Sequence, residues 1–167
     1  MSVIEIRSAR DDDTQQICDI YNHYVLTSTI TFEETPVMPF EMAERIREVQ
    51  ASSLPWLVAV DGGAVQGFTY AHKWKIRAAY RHSFEVTIYV REGLNAKGIG
   101  SQLYRRLFEL LKLAGAHAVI GGIALPNEAS LRLHQKLGFE KVAHFKDVGF
   151  KFGRWVDVSY WQIILNA

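Results

Sequence analysis

The sequence predicts a mixed α/β fold in which a mostly antiparallel central sheet is flanked by helices. Several segments alternate apolar and polar residues and are rich in β-branched side chains, the pattern of strands with one buried face. Other segments repeat apolar residues at helical spacing. Helices and strands interleave along the chain, and a two-glycine turn between two of the strand segments favours antiparallel pairing there.

The first third of the chain predicts one strand and two helices. Residues 3 to 7, VIEIR, alternate as a half-buried strand does. Asp11 to Asp13 offer capping oxygens for a helix whose apolar residues keep helical spacing to about Leu26. Pro39 is a residue that a first helical turn accepts, and it opens a second helix through FEMAERIREVQA, residues 40 to 51.

Three strand patterns occupy the middle of the chain, and they form a meander in which neighbours in sequence are expected to pair. Gly62 and Gly63 supply the turn between the first two. The three segments are WLVAVD (56 to 61), AVQGFTYAHKW (64 to 74) and SFEVTIYV (83 to 90).

Two helices and three strands complete the prediction. Apolar residues from Ile99 to Ala114 fall on one helical face until Gly115 ends the run. Asn127 caps a further helix that stops at Gly138. The strands are HAVIGGI (117 to 123), FEKVAHFKDV (139 to 148) and RWVDVSYWQIIL (154 to 165), the last two separated by the turn-like GFKFG (149 to 153).

Length and composition predict one domain over residues 1 to 167 and exclude several classes of partner. The formal net charge is only +1, so the chain has no basic field to hold nucleic acid, and no apolar run is long enough to span a membrane. A single cysteine, Cys18, and the lack of a signal-peptide pattern predict a cytoplasmic protein. The six histidines show no metal-ligand spacing, so we expect no metal.

The stretch NAKGIGSQLY, residues 95 to 104, places two glycines between a strand and a helix. The first amides of a helix have no partner within it, so bare backbone at Gly98, Ile99 and Gly100 would let a phosphate approach them, with Lys97 adding charge. The alternative is that the glycines serve only a tight turn or close helix packing. The stretch does not match a Walker loop, because Ile99 and Gly100 stand where that motif has Lys and then Ser or Thr. It does not match the dinucleotide-binding fingerprint either, because Leu103 stands where that motif has its third glycine.

This stretch resembles motif A of the GNAT acetyltransferase superfamily, whose Q/RxxGxG/A signature holds the pyrophosphate of acetyl-CoA. Asn95 departs from the first position of that signature, which changes a side-chain contact and leaves the backbone cradle intact. Longer segments resemble the phosphinothricin and methionine sulfoximine N-acetyltransferases. They are STITFEETP (28 to 36), WKIRAAYRHSFEVTIYV (74 to 90), LPNEASLRLHQKLGF (125 to 139) and GFKFGRWVDVSYWQ (149 to 162). The resemblance implies a GNAT fold, acetyl-CoA as cosubstrate, a homodimer, and an active site where the sheet splays.

Glu85 and His134 are the candidate catalytic residues. An α-ammonium must lose a proton before it attacks a thioester, and Glu85 stands where the family branch carries its catalytic glutamate. Alternation places Glu85, Thr87 and Tyr89 on one strand face, and the alternative for Glu85 is a solvated surface carboxylate. By resemblance His134 would protonate the departing CoA thiolate, the alternative being a structural histidine.

The resemblance also implies binding residues for both substrates. Those for acetyl-CoA are Ile88, Tyr89, Val90, Asn95, Lys97, Gly98, Ile99, Gly100, Ser101, Asn127 and Ser130. Those for the acceptor are Phe32, Glu33, Lys75, Arg77 and Tyr80, with Arg77 and Tyr80 on the acceptor carboxylate. Lys73, Lys75 and Arg77 recur at period two and would form one cationic face if that segment is a strand, although an ordinary solvated loop is the alternative.

The function implied is transfer of an acetyl group from acetyl-CoA to the α-amine of a small amino-acid-like acceptor, of the methionine sulfoximine, methionine sulfone or phosphinothricin type. Two alternatives stay open. One is a GNAT acetyltransferase for another amine, such as a polyamine, an aminoglycoside or a protein N-terminus. The other is a CoA-binding module without catalysis. The cationic residues between 73 and 81 argue against a polycationic acceptor, because like charges repel.

Overall fold

The computed structural model describes residues 3 to 165, which form a seven-stranded sheet with the order β1-β2-β3-β4-β5-β7-β6. The strands are β1 (Glu5–Ser8), β2 (Trp56–Asp61), β3 (Ala64–Lys73), β4 (Ser83–Val90), β5 (Ala118–Ala124), β6 (Glu140–Lys151) and β7 (Arg154–Ile164). All neighbouring strands pair antiparallel except β4 and β5, which are parallel. The predicted mixed, mostly antiparallel sheet is confirmed.

Four α-helices cover the two faces of the sheet. They are α1 (Thr14–Thr27), α2 (Pro39–Ala51), α3 (Ile99–Leu113) and α4 (Glu128–Lys136). Helices α1 and α2 pack on one face, where they bury one set of side chains from β2 and β3. Helix α3 covers the other face together with the apolar residues of α4. Because both faces are covered, β2 is buried along most of its length and reads as a continuous apolar run.

Helix α3 carries the most pronounced apolar stripe of the chain. Leu103, Leu107 and Leu111 are completely buried in the core against β2 to β5, while Leu113 on the opposite side is exposed. Gly98 precedes the helix with a φ of 75°, a left-handed conformation that glycine adopts without a steric penalty. The first helical hydrogen bond runs from the Gln102 amide to the Gly98 carbonyl, at 3.1 Å.

The parallel pairing of β4 with β5 is short. It covers Ser83 to Glu85 of β4 opposite Ala118 to Ile120 of β5, and beyond Glu85 the two strands separate. Strand β4 continues to Val90 in pairing with β3 alone, and β5 continues in pairing with β7. The sheet is therefore open on one side of β4 from Val86 onward, which is the splay that the family resemblance implied.

Three local predictions differ from the structure. Asp13 stands at the N-cap of α1 but makes no side-chain cap hydrogen bond to that helix. Its carboxylate instead accepts the Arg10 amide at 2.7 Å and pairs with Arg7, and Asp11–Asp13 forms a short 3-10 turn before α1. Residues 149 to 151 belong to β6, and the turn is only Phe152 and Gly153, both with positive φ as a tight hairpin requires. Strand β3 ends at Lys73, so the segment that follows it is not a strand.

The final aromatic residues divide between core and surface. Trp161 is buried in the core, Tyr160 is half-buried, and Trp155 is 64% exposed. Within residues 3 to 165 no helix is both long and apolar enough to cross a membrane.

Candidate active site

Two adjoining cavities lie where β4 and β5 separate. The larger, about 410 Å³, runs from β4 to the beginning of α3 and to α4, and the smaller, about 260 Å³, lies between Glu85 and the segment that follows α1. Their walls share Ile30, Ile88, Tyr89, Asn127 and Ser130, so the cavities are side by side. A long substrate in the first could present its end to a small one in the second.

The larger cavity contains most of the residues expected to bind acetyl-CoA. Those in its wall are Ile88, Tyr89, Val90, Asn95, Gly98, Gly100, Ser101, Asn127 and Ser130. Two others do not line it: the Lys97 side chain is exposed, and the Ile99 side chain is buried in the core. Ile99 therefore has only its backbone amide to offer. The Lys97 amide already donates to the Leu94 carbonyl at 3.1 Å, so Lys97 contributes only if its side chain changes rotamer.

Both structural uses of the glycine pair are present. Gly98 supplies the left-handed turn before α3, and a Cβ at Gly100 would lie 3.0 Å from Leu133 Cδ2 of α4. The close approach brings the N-terminus of α3 against α4 and β4. In that position the amides of Ile99, Gly100 and Ser101 precede the first helical donor, the Gln102 amide, and have no partner within the helix. The residues present therefore fit a phosphate group, since bare amides and a positive helix end face the cavity.

Six residues in the wall of the larger cavity were not expected from the sequence, and three of them, Arg132, Lys136 and Tyr24, carry polar groups. Arg132 and Lys136 of α4 lie in its wall four positions apart, on the same side of the helix, and add positive charge to the glycine turn. Their i, i+4 spacing after the Asn127 cap was the available signal. Tyr24 of α1 also lines the cavity, and its hydroxyl donates a short hydrogen bond to the Val90 carbonyl. That contact joins positions 66 residues apart, and nothing local in the sequence indicates it.

Glu85 lies at the fork, in the wall of the smaller cavity. Its side chain is 26% exposed, and burial raises the pKa of the carboxyl group. The charges of His72 and Lys75 oppose that shift, with His72 Nε2 at 3.9 Å from the Glu85 carboxylate. A carboxylate whose pKa is moved toward neutrality, and which faces a cavity, has the properties of a general base.

His134 is buried in the wall of the same cavity, and its ring makes hydrogen bonds to Tyr104 and Ser130. Its Nδ1 lies 2.7 Å from the Ser130 carbonyl, so Nδ1 carries the proton, and Nε2 accepts the Tyr104 hydroxyl at 3.2 Å. Burial lowers the pKa of His134, which keeps the imidazole neutral. Gly121 of β5 permits this position, since a Cβ there would lie 2.8 Å from His134 Nε2. The Nε2 lone pair of the neutral ring is therefore already used by the Tyr104 hydroxyl.

The residues expected to bind the acceptor fall into two groups. Phe32 lies in the wall of the smaller cavity, whereas Glu33 forms a bidentate ion pair with Arg45 of α2 at 2.6 and 3.2 Å. Lys75, Arg77 and Tyr80 lie in the exposed turn between β3 and β4 and line neither cavity. The carboxylate-binding residues expected from the resemblance are thus outside the cavity walls of one chain.

Metal-ligand clusters were also sought. In the part of the chain that the structure describes, no group of three or more His, Cys, Asp or Glu side chains is arranged to hold a metal ion.

Comparison with known proteins identifies the family. The acetyltransferase (GNAT) domain family matches residues 6 to 160. The phosphinothricin N-acetyltransferase of Streptomyces viridochromogenes is 40% identical over 95% of this chain and 86% of its own length. The L-methionine sulfoximine/L-methionine sulfone acetyltransferase of Salmonella typhimurium is 34% identical over 96% of this chain and 94% of its own.

A solved structure shares the same fold. The phosphinothricin acetyltransferase of Sinorhizobium meliloti, crystallised with acetyl-CoA, superposes with a TM-score of 0.92 at 36% identity and covers 96% of this chain and 88% of its own. With a family match over most of the sequence and relatives of this identity, the chain belongs to the GNAT acetyltransferases and is an acetyl-CoA-dependent N-acetyltransferase.

Proposed function

We propose that the enzyme acetylates the α-amine of a small amino-acid-like acceptor of the methionine sulfoximine, methionine sulfone or phosphinothricin type. The observation that carries this proposal is the position of Glu85, a half-buried carboxylate in the wall of a cavity of about 260 Å³ that adjoins the larger cavity at the beginning of α3. Relatives whose names give these acceptors match nearly the whole chain.

Acetyl-CoA supplies an acetyl thioester when it is bound. We propose that its pyrophosphate is held by the amides of Gly98, Ile99 and Gly100, with charge from Arg132 and Lys136. Strand β4 is free of β5 beyond Glu85, so the backbone near Tyr89 and Val90 can donate to the thioester oxygen and stabilise negative charge there. Asn95, Lys97, Ser101, Asn127 and Ser130 would complete the contacts.

Glu85 acts as the general base in this proposal. It takes the proton from the acceptor ammonium, directly or through water, and the freed amine attacks the thioester carbon. His134 would act as an acid only as imidazolium, a form that its burial disfavours. A CoA thiol has a pKa of roughly 8.5 and can leave as thiolate, so we propose that proton removal by Glu85, rather than protonation by His134, is the assistance that the reaction requires.

The acceptor cavity suits a small molecule. Phe32 covers it, and the exposed cations Lys75 and Arg77 of the turn beside Glu85 favour an acceptor that carries a carboxylate. The same cations oppose polyamines and aminoglycosides. We retain Arg77 and Tyr80 as the residues that bind the acceptor carboxylate, although they reach it only if the turn or a second chain brings them to the cavity.

We also propose that two chains form a homodimer through the outer surface of the β6–β7 hairpin. This edge of the sheet exposes several large apolar side chains, a larger group than a monomer commonly leaves in water. They are Val142, Phe145, Val148, Phe150, Phe152 and Trp155, each about half exposed or more.

The acceptor class is tested by thiol release from acetyl-CoA over a panel of amines. The panel holds methionine sulfoximine, methionine sulfone, phosphinothricin, a polyamine, an aminoglycoside and a peptide N-terminus. We expect kcat/KM to be highest for one of the first three. A higher value for another amine would transfer the proposal to that acceptor, and CoA binding with no turnover would indicate a binding module.

Replacing Glu85 should lower the reaction rate and abolish the dependence of that rate on pH in the acidic range. Protonation of Glu85 at low pH abolishes the base, so kcat/KM of the wild type should fall as the pH drops through the raised pKa of that carboxyl. We expect Glu85→Gln to lower kcat by about 100-fold or more and to lose this acid limb. The matched control is Glu44→Gln, an exposed residue of α2. An acid limb that survives in Glu85→Gln would exclude Glu85.

The phosphate cradle is tested by replacing two glycines at which alanine would be similarly strained. Gly98 and Gly93 both have positive φ, of 75° and 83°, and each has open space where a Cβ would stand, so alanine should cost about 1 kcal/mol of stability at either. Only Gly98 lines the larger cavity. We expect Gly98→Ala to raise the Kd for acetyl-CoA by about tenfold, and Gly93→Ala to leave it unchanged. Calorimetric titration that finds equal Kd values contradicts the cradle.

The proposed dimer is tested by light scattering. The mass should be twice the 19.0 kDa of one chain. Trp155→Lys, on the exposed hairpin surface, should lower it to the single-chain value, whereas a monomeric wild type would refute the proposal.

A further inference from the structure

The segment between α1 and α2 covers the acceptor cavity and is fastened to the far edge of the sheet. Ile30, Thr31 and Phe32 lie in the cavity wall. They have no regular secondary structure, so their position depends on contacts with other elements. Several of these contacts come from the β6–β7 hairpin, more than 110 residues away in sequence, and the reaction as proposed above gives them no role.

Lys151, the last residue of β6, makes the principal contact. Its side chain is 1% exposed, and its ammonium donates to the Thr31 carbonyl at 2.9 Å. None of the ion pairs within residues 3 to 165 includes it. Burial lowers the pKa of Lys151, and the more distant Glu34 and Glu33 oppose that shift. Burying a lysine without a carboxylate partner costs free energy, and another contribution has to offset that cost.

Gly149 makes the second contact, on the same side of β6. The ring of Phe32 lies over it so closely that a Cβ there would be 2.3 Å from Phe32 Cζ. Gly149 does not have a positive φ, so the backbone does not require glycine. Glycine is needed at position 149 because a side chain there would collide with the Phe32 ring. Arg154 adds a weaker contact to the Thr29 hydroxyl, at 3.3 Å.

The other side of the segment is held by the helices. The Tyr21 hydroxyl of α1 lies 2.8 Å from the Thr31 hydroxyl, and Arg45 of α2 pairs with Glu33. Thr31 is thus held through its side chain by one helix and through its carbonyl by the hairpin. With both in place, the Phe32 ring lies against Gly149 in the wall of the acceptor cavity.

We propose that Lys151 and Gly149 are positioning residues that set acceptor affinity and selectivity by holding Thr31 and Phe32 over the acceptor cavity. This inference rests on the proposed function, since it assumes that the smaller cavity receives the amine. It predicts an effect on the acceptor without an equal effect on acetyl-CoA, because neither Lys151 nor Gly149 lines the larger cavity.

The first test is Lys151→Met, which keeps an unbranched chain and removes the donor. We expect the KM of the best acceptor to rise by about tenfold or more, as the loss of a charged hydrogen bond implies, while the KM of acetyl-CoA stays within about twofold. Lys151→Arg, which retains a donor, should recover part of the loss. Lys146→Met, an exposed lysine of the same strand, is the control and should behave as wild type.

The second test is a double-mutant cycle that does not remove a charge. Gly149→Ala should displace the Phe32 ring and raise the acceptor KM, but in a Phe32→Ala background the same change should have little further effect. Additive effects of the two substitutions would refute the contact as the cause.

A third measurement does not depend on turnover. Amide hydrogen exchange of residues 29 to 33 in the full-length chain should become about tenfold faster or more in Lys151→Met than in wild type or Lys146→Met. Unchanged exchange, or equal rises in both KM values, would overturn the inference. If the wild type acetylates none of the panel, the proposed function fails, and the exchange rates still decide whether Lys151 holds the segment.

Discussion

The three-residue pairing between β4 and β5 is the constraint on which the rest of the structure depends. Glu85 is the last β4 residue that pairs with β5, and everything beyond it opens into cavities. Because the strands are parallel there, the chain leaving β4 can turn directly into α3, whose N-terminus then faces the same opening. The separation thus places an unpaired strand edge, a positive helix end and a carboxylate around one space.

This arrangement is kept rigid by burial on the other side of the same elements. Leu103, Leu107 and Leu111 of α3 are completely buried, each contributing about 1.5 to 3 kcal/mol, so the amides at the beginning of α3 are held before any ligand arrives. Gly100 shows the coupling most directly, since its missing side chain lets α4 approach and leaves the amide accessible. Helix packing and the proposed phosphate binding therefore impose the same requirement at this position, and glycine satisfies both.

Local signals explain how much could be predicted from the sequence. Apolar periodicity located α3, alternation placed Glu85 and Tyr89 on one face of β4, and the Asn127 cap is present, with its side chain accepting the Ser130 amide. The contacts that could not be predicted from the sequence join positions that are distant along the chain. The ion pair of Glu33 with Arg45, the Tyr24 hydroxyl on Val90 and Lys151 beneath Thr31 leave no periodic trace, because each depends on how separate elements pack.

Burial shifts the pKa values of Glu85 and His134, both in the wall of the smaller cavity, in opposite directions. It raises the pKa of Glu85 and lowers that of His134, which in both cases favours the neutral form. An entering ammonium would stabilise the Glu85 carboxylate, and transfer of its proton would return Glu85 to the form that burial already favours. In the proposed reaction, the burial that shapes the cavity would thus favour transfer of the proton from the amine to Glu85, without the need for a charged His134.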